Sequence, residues 1–476
     1  DSSSYRSQEE IDAWIAADPI AAFRKKLVEG SIATEDEFDA IDEMIVRRTE
    51  EIMRLATNDE ISPRMDLDKE PDAIANLMFS NQKVPSFDTT RKPDMLMPKD
   101  EVPRVKEIKN KVRSALDKDG KPVPKMKLYN IRDGIFEPVI DKLYEDPTLI
   151  IYGEDNRDWG GAFGVYKKMT EAVPYHRFFN APISEAAIVG SAVGYAMCGG
   201  RVIVELMYAD FMGCAGEEIF NQLAKWQAMS AGILKMPVVL RVSVGSKYGA
   251  QHSQDWTALV AHIPGLKVVF PATPADAKGL MTAALNGTDP VIFFESQRIY
   301  DLGEEFLPGG VPEGYYEIKI GEPDIKRPGK DITILSIGAA LYRVLKAADM
   351  LKEKYNISAE VIDARSIVPF DYTKVIESVK KTGRILIVGD ACERNSVMKD
   401  MAANIADLAF DYLDAPPVAL GSRNWITPAH EYEEYFFPYP EAIIDCIHER
   451  ILPLEGHVPT HDFTDVAKTE RLRRGV

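Results

Sequence analysis

Short, β-rich apolar runs recur through the middle of the chain, and a helix-like stretch separates each run from the next. The first series consists of TLIIYG, RVIVELM, MPVVLRVSV, LKVVF and VIFFE, within residues 148–295. Strands that are apolar on both faces need cover on both sides, and the intervening helices supply it. The pattern predicts a mostly parallel sheet with helices on both faces.

A second series of the same kind follows a Gly/Pro-rich stretch. It consists of DITILSIG, SAEVIDA, RILIVGD and PPVAL. A chain of 476 residues with 45% hydrophobic content can bury more than one core. We therefore predict an α/β protein with two consecutive, mostly parallel-sheet domains at 128–307 and 329–456, a linker at 308–328 and a surface tail at 457–476.

The chain in front of the sheets has a different character. Residues 1–59 are predicted to be helical, with starts marked by Ser7 before Glu10, Asp18 before Pro19 and Thr34 before Glu37, and with Gly30 as a stop. Prolines then become frequent, and we expect residues 60–127 to form a linker with one helix near 102–116.

Charge and cysteine content exclude several classes of protein. A net charge of −18 argues against a nucleic-acid partner, because nucleic-acid binders normally carry a basic surface. Cys198, Cys214, Cys392 and Cys446 form no Cys-x-x-Cys pair, so neither a zinc site nor a disulfide framework is indicated. The first residues are polar and no apolar run is long enough for a membrane span. These features predict a cytoplasmic protein with no membrane segment.

The segment APISEAAIVG at residues 181–190 opens a predicted helix that stops near Gly199 and Gly200. Ser184 or its neighbour is expected to cap this helix, which puts Glu185 in its first turn, at the edge where α/β folds bind ligands. Taken alone, Glu185 could simply complement the helix dipole, as acidic residues in first turns usually do.

Seven motifs around this segment resemble, in the same order, the beta subunit of the decarboxylating component of 2-oxo-acid and acetoin dehydrogenase complexes. They are GED at 153–155, APISEAAIVG, ELMYADF at 205–211, QHSQ at 251–254, PGLKVV at 264–269, DAKGL at 276–280 and DPV at 289–291. IDARSIVPFD at 362–371 is similar to the same subunit's C-terminal domain. The resemblance implies transketolase-like pyrimidine-binding and C-terminal domains.

The resemblance extends to the front of the chain, where YRSQEEI at 5–11, Trp14 and DPI at 18–20 are similar to the end of the family's alpha subunit. It implies a beta subunit fused to the C-terminal part of an alpha subunit. The family's Gly-Asp-Gly motif for magnesium and diphosphate has no match here, so an alpha-like partner should bind Mg²⁺ and the diphosphate of thiamine diphosphate. A second alpha–beta unit and a lipoyl acyltransferase are the other implied partners.

The resemblance also assigns roles to single residues. Glu185 would hydrogen-bond the aminopyrimidine ring of thiamine diphosphate and activate it, Met207 and Phe211 would line the pyrimidine pocket, and Glu154 would lie near the cofactor. His252 would donate a proton near the substrate carbonyl or the lipoyl group. From the residues alone, Met207 and Phe211 could be core, His252 structural and Glu154 a loop cap.

Two further sets of residues bear on metals. The family's potassium site maps to Ala284, Leu285, Gly287 and Asp289, mostly through carbonyl oxygens, which leave little sequence signature. His448, His457 and His461 match no ligand spacing and are expected to be solvated.

The function implied is thiamine-diphosphate-dependent oxidative decarboxylation of a 2-oxo acid, or cleavage of acetoin or a related diketone, with acyl transfer to lipoamide. The first alternative is a carbon–carbon transfer of the transketolase or deoxyxylulose-phosphate-synthase type, although the chain's acidity does not favour a sugar-phosphate substrate. The second alternative is a non-catalytic structural or regulatory subunit. The glycine-rich stretch usual after the strand RILIVGD is replaced here by ACERNS at 391–396, which leaves docking to an acyltransferase less well supported.

Overall fold

A computed structural model of the chain describes residues 5–117 and 119–476. Contacts divide the chain into two compact units, Asp1–Ala73 and Ile74–Val476. The first four residues of the predicted 1–59 segment and residue 118 of the predicted linker lie outside the described residues. The six-segment division made from the sequence stays a prediction.

The first unit is helical, as expected. Its helices are α1 (Gln8–Ala16), α2 (Pro19–Glu29) and α3 (Glu35–Ala56). Ser7 and Asp18 cap the first two through their side chains, and Thr34 forms a capping box with Glu37, so the predicted helix starts are confirmed. No residue from 8 to 56, all of which are described, is buried. These helices therefore form no core of their own.

Within the described residues the second unit contains two sheets, and the larger has seven strands in the spatial order 366–368, 267–269, 291–296, 238–244, 202–206, 150–153 and 178–180. The strands in chain order are β1 (Ile150–Gly153), β2 (Phe178–Asn180), β3 (Val202–Leu206), β4 (Val238–Val244), β5 (Lys267–Val269) and β6 (Val291–Ser296). These six pair with one another in parallel. All five apolar runs of the first series are therefore strands, as predicted.

The smaller sheet has five strands in the order β12-β11-β8-β9-β7. The remaining strands are β7 (Asp324–Arg327), β8 (Ile332–Ser336), β9 (Ala359–Asp363), β10 (Ser366–Val368), β11 (Ile385–Cys392) and β12 (Val418–Ser422). Only β7 runs antiparallel within this sheet of the described chain. The predicted class, two consecutive α/β domains with mostly parallel sheets, is confirmed.

Helices cover both sheets. In chain order they are α4 (Pro103–Lys109), α5 (Ile131–Glu145), α6 (Asn156–Trp159), α7 (Glu185–Met197), α8 (Ala224–Met229), α9 (Thr257–Ala261), α10 (Pro274–Asn286), α11 (Ala340–Tyr355), α12 (Thr373–Thr382), α13 (Val397–Ala409), α14 (Pro440–Arg450) and α15 (Asp465–Arg474). Within the described residues, none of the helices is both long and apolar enough to cross a membrane.

One strand joins the two sheets. β10 follows β9 after two residues, but it leaves the smaller sheet and pairs antiparallel with β5 in the larger one. Close by, the Asp276 carboxylate of α10 lies 2.6 Å from Lys326 Nζ and 3.1 Å from a guanidinium nitrogen of Arg365. All three side chains are nearly fully buried. The second domain is thus fastened to the first by backbone pairing and by buried charge.

Residues 74–127 have little regular structure besides α4, yet they are tied to the sheet-bearing part of the unit. Ser80 and Asn81 donate backbone N–H groups to the Asp289 carboxylate at 2.6 and 2.9 Å. Val102 is fully buried, and buried Arg104 pairs with Asp133 at 2.8 Å. This segment behaves as a fixed covering of the sheet domain.

The centre of the larger sheet holds a buried ion cluster. Arg241 on β4 binds Glu295 on β6 through two hydrogen bonds of 2.6 and 2.7 Å and also binds Glu205 on β3. All three residues are at most 4% exposed. Tyr300 donates to Glu295 at 2.7 Å, and the N–H of Ala162 donates to Glu205 at 3.0 Å.

We expect Arg241→Met to lower the free energy of unfolding by about 3–5 kcal/mol, because it leaves two buried carboxylates without their cation. Urea denaturation followed by circular dichroism measures the loss. Arg327→Met is the matched control, since its partner Asp349 is mostly exposed and such pairs contribute under about 1 kcal/mol. Equal losses in the two variants would contradict the stabilising role of the buried cluster.

Candidate active site

The residues singled out for catalysis follow the carboxyl ends of neighbouring parallel strands. Glu154 follows β1, Met207 follows β3, and the loop that carries His252 follows β4. Strands β1, β3 and β4 pair in parallel, so their carboxyl ends lie at one edge of the sheet. In open α/β sheets this edge is where ligands bind.

Glu185 is the first residue of α7, which begins shortly after β2 ends at Asn180. Its predicted place in the first turn is confirmed. Ser184 occupies the N-cap position, but in the described structure its side chain makes no hydrogen bond to the helix. Glu185 is half-buried, while Ile188 and Val189 one turn later are buried. The carboxyl therefore lies at the boundary between core and surface.

Glu154 and Glu185 are close enough to influence each other electrostatically. Partial burial raises the pKa of Glu154, and the negative charge of Glu185 raises it further. Asp155 and Glu205 add smaller contributions of the same sign. A carboxyl group whose pKa is raised by burial and by nearby carboxylates is typical of sites that hold or move a proton.

His252 is enclosed by aromatic side chains. Its ring meets Tyr208 edge-on at 4.8 Å between centroids and Phe211 at 5.3 Å. Tyr208 and Phe211 also contact each other, at 5.7 Å. Phe211 and Met207 are half-buried, whereas Met212 is fully buried. Phe211 is thus part of the wall around His252, and neither Phe211 nor Met207 is a buried core residue.

Polar contacts fix the segment around His252. Asp210 accepts hydrogen bonds from the side chain and the backbone N–H of Gln254, at 3.0 and 3.4 Å. Burial raises the pKa of Asp210, and the bonds from Gln254 oppose that rise. The N–H of Tyr248 donates to the Ser253 hydroxyl at 3.2 Å. Tyr208, Asp210 and Gln254 lie within motifs recognised in the sequence, but their support of His252 was not predicted.

The structure places the predicted potassium segment at the opposite edge of the sheet. Ala284 and Leu285 are near the end of α10, and Gly287 and Asp289 precede the amino end of β6. The Gly287 carbonyl accepts a hydrogen bond from Arg201 at 2.9 Å, and Lys267 Nζ lies 2.8 Å from the Asp289 carboxylate. Two oxygens of this segment therefore already have cationic partners.

The sequence led us to expect that the C-terminal histidines are solvated, but two of them have partners within the protein. His457 and His461 each hydrogen-bond the buried Asp445 carboxylate, at 2.7 and 2.8 Å, and Tyr355 bonds the other ring nitrogen of His457 at 2.7 Å. Asp445 and Tyr355 lie on helices 90 residues apart in the chain, which local spacing cannot reveal. Across the described residues, no group of three or more His, Cys, Asp and Glu side chains is arranged to hold a metal ion.

Comparison with known proteins identifies the family. The models for "Transketolase, pyrimidine binding domain", "Transketolase, C-terminal domain" and "Dehydrogenase E1 component" match residues 129–301, 321–443 and 1–64. Acetoin:2,6-dichlorophenolindophenol oxidoreductase subunit beta of Cupriavidus necator is 43% identical over 60% of this chain and 86% of that protein. The chain belongs to the E1 beta-subunit family of acetoin and 2-oxo-acid dehydrogenases.

Other E1 beta subunits match over similar lengths. The acetoin:2,6-dichlorophenolindophenol oxidoreductase beta subunit of Bacillus subtilis is 37% identical over 67% of this chain and 96% of that protein. The 2-oxoisovalerate dehydrogenase beta subunit of the same organism is 36% identical over 68% of this chain and 99% of that protein. A split-gene transketolase, solved as an inactive beta4 tetramer, gives a TM-score of 0.54 over 68% of this chain and 99% of that chain at 21% identity, which shows the fold alone.

Thiamine diphosphate is the cofactor that this family implies, and the side chains at the carboxyl edge fit its pyrimidine end. The Glu185 carboxyl can exchange a hydrogen bond with a ring nitrogen, and its half-burial limits competition from water. The half-buried Met207 and Phe211 offer a thioether and an aromatic face, both suited to a flat ring.

The pairing of Glu154 and Glu185 can be tested directly. We expect Glu185→Gln to lower the pKa of Glu154, because it removes a neighbouring negative charge. A pH titration of ¹³C-labelled glutamate carboxyl groups by NMR, with Glu154→Gln for assignment, measures the shift. Glu171→Gln, an exposed glutamate in the same domain, is the control and should leave the pKa unchanged. An unaltered Glu154 titration in Glu185→Gln would refute the pairing.

Proposed function

We propose that this chain supplies the aminopyrimidine half of a thiamine-diphosphate site that oxidatively decarboxylates a 2-oxo acid, or cleaves acetoin or a related diketone, and passes the acyl group to lipoamide. The observation that carries the proposal is the position of Glu185, which begins a helix at the carboxyl edge within electrostatic reach of Glu154. Membership of the E1 beta-subunit family supports it.

Each candidate residue of this chain would have its own role in the reaction. Thiamine diphosphate, when bound, supplies the chemistry that cleaves the carbon–carbon bond next to the substrate carbonyl. Glu185 would exchange a proton with the pyrimidine ring through its carboxyl, and Glu154, whose pKa is raised by burial and by the charge of Glu185, would lie beside it. Met207 and Phe211 would exclude water from the ring.

His252 would serve the second half of the reaction. Its ring contacts Tyr208 and Phe211, and its two nitrogens can donate and accept hydrogen bonds. At the end of the loop after β4 it would meet the substrate carbonyl or the incoming lipoyl group. Fixed orientation matters here, because proton transfer needs the ring nitrogen within hydrogen-bond reach of the reacting atom.

Partners complete the site in this proposal. An alpha-like polypeptide would bind the diphosphate and Mg²⁺, and a second alpha–beta unit would complete a tetrameric arrangement. The first unit supports an alpha-like partner: residues 1–64 match the E1 component model, and its described helices leave Trp14, Phe23, Ile41 and Ile45 exposed. Contact with a lipoyl acyltransferase and a potassium ion near 284–289 stay predictions. The free thiols of all four cysteines fit a cytoplasmic setting.

Acetoin is the first substrate to test. The relatives that match at 43 and 37% identity are named for acetoin, and relatives at 36% are named for 2-oxoisovalerate and for pyruvate. A panel of acetoin, pyruvate and branched 2-oxo acids, assayed on the reconstituted complex with a dye acceptor, separates these reactions. Turnover of sugar phosphates alone would support the transketolase-type alternative instead.

We expect Glu185→Gln to reduce turnover of the reconstituted complex by about 10²–10⁴-fold, because the amide cannot exchange a proton with the ring. The chain should keep its thermal unfolding temperature, since Glu185 is half-buried at a helix start. Initial rates and a melting curve measure both. Glu171→Gln should behave as the unmodified chain, and wild-type turnover in Glu185→Gln would sink the proposed role.

The division of the cofactor between two polypeptides gives another prediction. Isolated chain should bind thiamine diphosphate about a hundredfold more weakly than the reconstituted complex, because losing two charge-assisted diphosphate contacts removes roughly 3 kcal/mol. Isothermal titration calorimetry with and without Mg²⁺ measures both affinities. Tight, Mg²⁺-dependent binding by the chain alone would show that it holds the diphosphate itself.

A further inference from the structure

The loop that carries His252 is anchored from the second domain as well as from its own. It leaves β4 at Gly245, and Lys247 follows in the left-handed region at φ +71°. The loop is exposed at Lys247 and Tyr248. A contact from outside the loop is therefore needed to hold the loop in one conformation.

Glu433 makes that contact. It lies in a 3₁₀ segment, His430–Tyr435, and it is 2% exposed. One carboxylate oxygen, Oε1, accepts a hydrogen bond from the backbone N–H of Lys247 at 2.8 Å. The other, Oε2, lies 3.2 Å from Nη2 of Arg298 and 3.5 Å from Nδ1 of His430. One buried carboxylate thus joins the loop to a charged network.

Arg298 braces Glu433 from the opposite side. It follows β6, and its guanidinium lies 4.2 Å from the centre of the Phe437 ring and 3.8 Å from the Asp390 carboxylate. Arg343 also pairs with Asp390. Two arginines therefore face the buried carboxyl groups of Glu433 and Asp390, so both have cationic partners.

A displacement at Lys247 would reach His252 because the two ends of the loop touch. A Cβ atom placed on Gly245 would lie 1.5 Å from the carbonyl oxygen of His252, so the backbones are in direct contact there. The bond from Tyr248 to Ser253 closes the loop a second time. These two contacts couple the position of Lys247 to the position of His252.

We propose that Glu433 is a positioning residue for His252: its carboxylate fixes the loop through the N–H of Lys247 and so sets where the imidazole meets the reacting group. The proposal rests on the proposed function of His252. It assigns to the second domain a direct part in the active site of the first. Glu433 touches neither cofactor nor substrate in this scheme.

Two conservative variants of Glu433 separate the effect of side-chain length from the effect of its negative charge. Glu433→Asp keeps the negative charge but draws the whole carboxylate back by one methylene, which breaks the short-range hydrogen bond to Lys247 while the longer-range attraction to Arg298 remains. Glu433→Gln keeps an oxygen at the same reach but removes the charge. We expect Glu433→Asp to lower kcat of the reconstituted complex with lipoamide by about 10–100-fold, since small misplacements of a catalytic group cost up to about 10²-fold. KM for the acyl substrate should change by less than about threefold, and Glu433→Gln should recover most of kcat.

A second readout does not depend on activity. Lys247 is exposed, and trypsin cleaves after lysine, so cleavage at this bond reports how firmly the loop is held. Cleavage at Lys247 should be faster in Glu433→Asp than in the unmodified chain and near normal in Glu433→Gln. Glu434→Asp, an exposed neighbour, is the matched control and should change neither cleavage nor kcat. Melting curves check that each variant is folded.

The kcat and cleavage results together test whether Glu433 positions His252. Unchanged kcat and unchanged cleavage in Glu433→Asp would overturn the proposal, as would a near-normal Glu433→Asp beside a damaged Glu433→Gln, which would assign the effect to the charge facing Arg298. If Glu185→Gln keeps full turnover, the proposed function fails, yet the cleavage at Lys247 still tests whether Glu433 holds the loop.

Discussion

The buried interaction of Arg241 with Glu205 and Glu295 is the constraint on which the larger sheet depends. Its three members sit on the adjacent strands β3, β4 and β6, where Glu205 is directly opposite Arg241 in the register. A one-residue slip of either neighbour would turn its carboxylate to the other face and leave the guanidinium unpaired. Because the pairing fixes the register, it also fixes which residues emerge at the carboxyl edge. Met207, two positions after Glu205, and the loop after β4 are placed by this cluster.

The second constraint joins the two sheets. β10 crosses from one sheet to the other, and Arg365, which lies between β9 and β10 at φ +56°, binds Asp276 of the first domain. Burial raises the pKa of Asp363, the last residue of β9, although the positive charge of Lys326 opposes that rise. The domains are thus held in one arrangement by pairing that involves both. That fixed arrangement is what lets Glu433, in the second domain, reach a loop of the first.

Local patterns in the sequence were sufficient to predict much of the fold. The nine apolar runs form strands because short runs with apolar side chains on both faces are typical of buried strands in a covered sheet. Ser7, Asp18 and Thr34 cap helices through hydrogen bonds to residues two or three positions away, which local sequence can predict. β2, β7 and β10 were missed because they have three or four residues each and depend on their neighbours. The anchor of Lys247 could not be predicted, since Glu433 is 186 positions away and lies in an acidic stretch that looks like surface.

The polar neighbours of the acidic residues differ between the candidate site and several buried ion pairs. Glu433, Glu295 and Asp276 each have an arginine or lysine partner, which makes them structural anchors. Glu154 and Asp210, by contrast, have other carboxyls, an amide and a histidine as their principal polar neighbours, and burial raises the pKa of both.

Asp255, just beyond the His252 loop, belongs with the second group: burial raises its pKa to about 6, and hydrogen bonds from Thr257 oppose that rise. These carboxyls lie after β1, after β3 and beyond the loop that follows β4, so they gather at the edge where Glu185 and His252 also lie. Asp363 shows that a raised carboxyl pKa is not confined to this edge, but here three carboxyls with a raised pKa follow neighbouring strands beside Glu185 and His252. That grouping supports chemistry at this edge without any reference to relatives, and it agrees with the family to which the chain belongs.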